Sequence, residues 1–100
     1  MLIDKVKVAN RITSTDEGLT DELKGLIDAC LLDLQIAGVA TKNVTVETQE
    51  PDALITRAVI LYSKAHFGFD NPEAERFERA YLALKQHLSL SEDYKLEASP

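Results

Sequence analysis

Apolar residues recur along most of this chain at the spacing of helices rather than strands. Leu2, Val6 and Ala9, with Ile12 beyond them, predict a short first helix that ends before the Thr13-Ser14-Thr15 cluster. A second helix is expected to be capped by Thr20, with Asp21 and Glu22 in the first turn, where carboxylates oppose the positive end of the helix dipole. Leu23, Leu26, Ile27, Cys30, Leu31 and Leu34 form its continuous apolar stripe, and Gly38 supplies the left-handed residue that stops it.

Between Val39 and Glu50 the helical period disappears, and Val44, Val46 and Thr48 alternate with Thr45, Glu47 and Gln49. That pattern reads as an extended loop or short strand, which must be solvated, form a small hairpin or pair with another subunit to satisfy its backbone. Pro51 suits the first position of a third helix, because its missing N–H would be unpaired there anyway. The run from Leu54 to Phe67 is apolar over most of its circumference, which predicts the central and most buried helix, ending at Gly68. Asn71-Pro72-Glu73 signals the start of a fourth. Its buried face is expected to comprise Ala74, Phe77, Ala80, Tyr81, Leu84 and Leu88, with Glu75 and Arg79 paired one turn apart on the wet side. After Leu88 the amphipathic period stops, so residues 1–88 are read as one helical domain and 89–100 as a tail. Tyr94 and Leu96 are unusual for a solvated tail and imply docking on the chain's own core or on a partner.

The fold class expected is therefore all-α, a compact bundle of about four helices with an extended loop or short strand between the second and third. One hundred residues bury roughly two-thirds of the unfolded surface, leaving little stability to spare. Support from neighbouring subunits follows naturally. No window approaches the roughly 20 apolar residues of a membrane span, and Met1-Leu2-Ile3-Asp4-Lys5 carries no signal-peptide pattern, so a soluble protein is expected. The single Cys30 excludes an internal disulfide framework and fits a reducing cytoplasm, where the Asn43-Val44-Thr45 sequon has no meaning. The net charge is −6, and it is uneven: Lys5, Lys7 and Arg11 oppose only Asp4 at the start, whereas residues 13–50 are strongly acidic. Such a field repels a polyanion, so DNA near this protein should slide past rather than be held.

Candidate chemistry is sparse. Cys30 lies on the apolar stripe of the second helix, where a thiol acts as a small apolar side chain with no cation nearby in sequence. His66 and His87 sit near helix C-termini, where imidazoles cap carbonyls, and neither has a ligand-type partner one turn away. The acid pairs Asp16-Glu17, Asp21-Glu22 and Glu92-Asp93 are adjacent and diverge on a helix. Phosphate-loop, nucleophile-elbow and His-Glu-x-x-His patterns are missing from the sequence. Tyr62, Phe67, Phe77 and Tyr81 stand at core spacing, and Phe69 is expected to close the corner between helices three and four. No catalytic, cofactor or metal site is expected. A pocket gathering Cys30, His66 and a carboxylate would overturn that reading.

Asn10-Arg11-Ile12-Thr13, then Asp21-Glu22-Leu23-x-x-Leu26-Ile27-Asp28-Ala29 and Asp33-Leu34-x-x-Ala37-Gly38, resemble the N-terminal half of the head-to-tail connector family of tailed bacteriophages, the DNA-packaging adaptors. The second half is more similar still, through Ile55-x-x-Ala58-Val59-Ile60-Leu61-Tyr62-x-Lys64-Ala65-x-Phe67-Gly68, Arg76-Phe77 and Tyr81-x-x-Leu84-Lys85-x-x-Leu88. The likeness covers roughly residues 1–94 and rests on the order and spacing of core residues. It implies a helical virion protein at the head-to-tail junction, assembled in the host bacterial cytoplasm. Such a protein docks as a homo-oligomeric ring under the portal protein after packaging, extends the DNA exit channel and offers a platform to the next head-completion or tail protein.

Within that reading, the residues expected at oligomer or partner interfaces are Val44, Val46, Tyr94 and Leu96, apolar side chains without an evident home in one chain. An alternative is a small cytoplasmic helical regulator that binds a partner protein in a groove between helices. A helix-turn-helix DNA binder is a third reading, opposed by the mixture of Glu73, Glu75 and Glu78 with Arg76, Arg79 and Lys85, which leaves no basic face.

Overall fold

The structure, a computed structural model, describes residues 1–12, 17–41, 43–67 and 71–96. Four α-helices form: α1 (Leu2–Ala9), α2 (Glu17–Ile36), α3 (Ala53–His66) and α4 (Ala74–Leu90), followed by a single 3-10 turn at Glu92–Tyr94. This is the all-α, four-helix architecture that the periodicity predicts, and no named strand occurs among the described residues.

α3 touches each of the other helices, α1 packs on α2 and α3, and α2 and α4 both pack more on α3 than on each other. α3 is thus central, but it is not sealed. Ile55, Ala58, Val59 and Ser63 are buried, whereas Ile60, Leu61 and Tyr62 are only half-buried, and α2 contributes the longest buried row: Leu23, Ile27, Cys30, Leu31 and Leu34. The body measures 45 × 28 × 18 Å, barely two helix layers thick at the 8–10 Å spacing of packed helices, so one side of most helices stays wet. α4 accordingly buries only Tyr81 and Leu88; Ala74, Phe77 and Leu84 are half-buried, and Ala80, expected inside, faces solvent. Glu75 and Arg79 do pair on its exposed face at 3.9 Å.

Helix ends depart from expectation in instructive ways. α2 already runs through Glu17, so Thr20 is inside the helix rather than its cap, and Glu17 is the acid of the first turn. α3 begins after Asp52, whose carboxylate accepts from the Leu54 and Ile55 N–H groups at 3.0 and 3.1 Å; Pro51 precedes that cap instead of opening the helix. An ionised side-chain oxygen satisfies orphan donors, which proline's ring cannot do. Asn71 accepts from the Glu73 N–H at 3.0 Å and donates to the Lys64 carbonyl at 2.6 Å, tying the approach to α4 to the end of α3. α4 begins only at Ala74, with Glu73 as its cap residue, so Asn71-Pro72-Glu73 forms the turn before the helix instead of its cap and first turn. α1 closes with Arg11 in the left-handed region (φ 58°), and Gly38 (φ 90°) ends α2 as its position predicts. α3 stops at His66; the expectations for Gly68 and Phe69, like the Thr13-Ser14-Thr15 cluster, lie outside the described residues.

Segment 39–50 is the clearest case where an ambiguous pattern is decided by tertiary contacts. The carbonyls of Thr48 and Val46 accept from the N–H groups of Leu2 and Ile3 at 2.8 and 2.9 Å, so this loop caps the start of α1 through its backbone. Val39 pairs antiparallel with Lys95 as an isolated bridge, flanked by Ala40 N–H to Tyr94 C=O at 2.6 Å and Leu96 N–H to Gly38 C=O at 3.1 Å. The loop therefore meets backbone partners within its own chain. α4 continues to Leu90, two residues past the point where the tail was expected to begin, and residues 91–96 then fold back along the loop.

Candidate functional site

Because α2 and α4 lean on α3 and not closely on each other, a groove of about 440 Å³ opens between them. Tyr62 and His66 of α3 contribute to its lining, the apolar side chains of Leu32, Ile36 and Leu82 line it from α2 and α4, and all three of these are exposed. Across it runs a polar bridge. The Tyr81 hydroxyl donates to Asp33 Oδ2 at 2.6 Å, Lys85 Nζ donates to the same oxygen at 2.9 Å, and the Cys30 thiol donates to the Tyr81 oxygen at 3.8 Å. Tyr81 and Lys85 are one turn apart on α4 and therefore reach the same carboxylate on α2. Tyr62 packs edge-on against Tyr81 with ring centroids 5.1 Å apart and lies 4.4 Å from the His66 ring. His66 Nε2 is 2.9 Å from Glu78 Oε2, an ion pair when the imidazole is protonated. Glu78 Oε2 is buried and has no hydrogen-bond partner among the described residues, so the ion pair with a protonated His66 is the interaction open to it.

The electrostatics argue against reaction chemistry at this place. Burial pushes the Cys30 thiol up to about 12, with Asp33 adding to the rise and the Tyr81 hydrogen bond and Lys85 only partly offsetting it. A thiol held that high is neutral at any physiological pH and is a poor nucleophile. Cys30 is fully buried behind Tyr81 and does not line the groove, so the convergence of Cys30, His66 and a carboxylate that would mark a nucleophilic site does not form. Burial and the hydrogen bond to Asp33 likewise raise Tyr81, and burial raises Tyr62, so neither phenol supplies a base. No cluster of three or more His, Cys, Asp or Glu side chains that could hold a metal ion occurs among the described residues, and no helix among them is long and apolar enough to cross a membrane.

What the bridge does is lock α2 to α4. At Asp33, partial burial works to raise the carboxyl, but the hydrogen bonds from Tyr81 and Lys85 and the charge of Lys85 together outweigh it and hold the group below its ordinary range. A folded-state value below the unfolded one, about 3.9 for aspartate, means stability that is present above the unfolded value and lost as pH falls through the folded one. Asp33→Asn should therefore flatten the acid limb: between about pH 5 and pH 3 the wild-type urea midpoint falls more steeply than that of the variant. Equal slopes would show that the bridge does not respond to the Asp33 charge.

The side chains expected at an interface are placed as follows. Val44 is buried in the chain's own core and Val46 packs against it, so both have the home that the linear pattern concealed. Tyr94 also packs on the core, and its hydroxyl donates to the Asp52 carboxylate at 2.9 and 3.0 Å from the two oxygens. Leu96 alone of the four stays exposed. Sequence reasoning did not single out Asp33 or Asp52. The signal for Asp52 was its place directly before a helical apolar run; Asp33 offered none, since only the approach of α4 gives its carboxylate two donors.

Comparison with protein families matches residues 2–95 to the family described as phage connector protein. The chain belongs to the phage connector family. Comparison with curated proteins and with solved structures gives no match. The match spans all four helices of this connector and the segment that folds back after α4, so loop 39–50 and residues 91–95 lie within the family's unit. Asp33, Tyr81 and Lys85 stand in the segments whose spacing carries the resemblance, and in the connector they meet as one contact. Its role is that of a structural connector component of a phage particle.

Proposed function

We propose that this connector docks as a homo-oligomeric ring beneath the portal protein once the genome is packaged, lengthens the DNA exit channel and receives the next head-completion or tail protein. The family match over residues 2–95 carries this reading. Two features support it. Exposed apolar side chains are spread over the body at Val8, Leu32, Ile36, Leu82, Leu90 and Leu96, which suits a protein with neighbours on several sides better than one that works alone. The net charge of −6 suits a conduit through which a duplex passes without sequence-specific binding. The protein acts without catalysis, is made in the host cytoplasm and ends in the virion.

Negative-stain microscopy of the purified connector mixed with purified portal rings tests the reading. Added density capping the portal is expected. A monomer or dimer that leaves portal rings bare would favour a small regulator that binds a partner protein in a groove. The end of the chain is proposed to reach the portal through Leu90 and Leu96. Replacing both with glutamate should leave the helical spectrum and stability nearly unchanged, because both side chains are already in solvent. Capping of portals should be lost; undiminished capping would remove these two residues from the interface.

A further inference from the structure

The two surfaces with the most exposed apolar side chains outside the chain's end are unlike each other. On α1, Val8 is 76% exposed and shares a shallow surface with Met1, Asp4, Lys5 and Gln49. On the α2/α4 groove, Ile36 is 77% exposed and Leu32 57%. Their charges are opposite. Around Val8 stand Lys5, Lys7 and Arg11 against Asp4, whereas the groove is lined by Asp33 and Glu78 against Lys85, with the exposed Asp28 one turn before Leu32 on α2. α1 packs on α2 and α3, while the far wall of the groove is α4, so the α1 face and the groove are separate features of the body.

We propose that the exposed α1 face of one copy, centred on Val8, packs on the α2/α4 groove of the next copy, against Leu32, Ile36 and Leu82. The inference rests on the ring reading above and specifies its contact. The basic α1 face and the acidic groove are different surfaces that each disfavour their own kind, so the contact is heterologous: every copy offers one of each, and the series ends only when rotation closes it into a ring. Burying Val8 on Ile36 and Leu32 removes apolar surface from water, and the bases of α1 meet Asp28 and Glu78 at the groove, which selects this register over α1 against α1 or groove against groove. The Asp33–Tyr81–Lys85 bridge acquires a purpose in this arrangement, since it fixes the separation of the two groove walls before the neighbour arrives.

Two full-length variants, Val8→Cys and Ile36→Cys, test the pairing, because both positions are open to solvent and the changes leave the core intact. The native Cys30 is fully buried and stays unreactive. Each variant alone, and the two mixed, are incubated at high concentration with purified portal rings, treated with a short bismaleimide and read by intact mass. The expected linked product is the one-to-one heterodimer, scarce in either variant alone, and adding Lys5→Glu and Lys7→Glu to the Val8→Cys chain should reduce it sharply. Dominant homodimers, or no linked product, overturn the proposal. Sedimentation of the unmodified chain with the same portal rings separates the two ways of failing: binding to the portal without the heterodimer sinks this contact and leaves the ring standing, whereas a chain that stays free of the portal with no linked product sinks both.

Discussion

Leu34→Ala is expected to cost about 2–5 kcal/mol of folding stability, while Leu32→Ala, two residues away on the same helix, should cost well under about 1 kcal/mol. Both changes remove the same atoms and bring the same gain in helix propensity, so the difference isolates burial. Leu34 is fully buried within the cluster that joins α1, α2, α3 and α4; Leu32 is 57% exposed on the rim of the groove. Truncating Leu34 forfeits its transfer energy and leaves a cavity that neighbours held by three other helices can only partly fill. For a domain whose whole stability is on the order of 5–15 kcal/mol, that loss is large. Urea denaturation followed by circular dichroism reads it as a lower midpoint at unchanged slope. Similar costs at the two positions would mean that the face of α2 turned to the core is wrongly placed.

Asp52→Ala should cost about 2–4 kcal/mol, more than loss of a helix cap alone, which is typically about 1 kcal/mol. Its carboxylate does two jobs. It accepts from the Leu54 and Ile55 N–H groups at the start of α3, and it accepts the Tyr94 hydroxyl that pins the returning chain. Removing it leaves the Tyr94 hydroxyl without that acceptor and loosens the bridge between Val39 and Lys95. Tyr94→Phe removes only the second role and should cost less. A double-mutant cycle on the two residues measures the coupling, and hydrogen exchange at Ala40 and Leu96, whose N–H groups bond across this junction, should speed up in both single variants. Additive effects, or exchange unchanged at those amides, would detach the cap from the docking of residues 91–96.

These two residues also mark how legible the molecule was. The stripe that includes Leu34 repeats at helical spacing and could be read directly, because an amphipathic helix writes its buried face into the sequence whatever it packs against. Likewise the left-handed Gly38 follows from local backbone chemistry. The Thr20 and Pro51 expectations failed locally: several polar residues near a helix start compete as caps, and only the path of the backbone shows which carboxylate or hydroxyl reaches the free N–H groups.

By itself the sequence determined four helices, an all-α core and the lack of a recognisable reaction motif, since hydrophobic period and residue chemistry are properties of the linear chain. Only the tertiary structure decided that Val44, Val46 and Tyr94 belong to the chain's own core, that Asp33 joins α2 to α4, and that Val8 and Ile36 are left bare on separate surfaces. A contact between residues 48 or 42 positions apart, such as Asp33 with Tyr81 or Asp52 with Tyr94, depends on how helices cross. Crossing is set by the fit of whole faces, which leaves no mark at a single position.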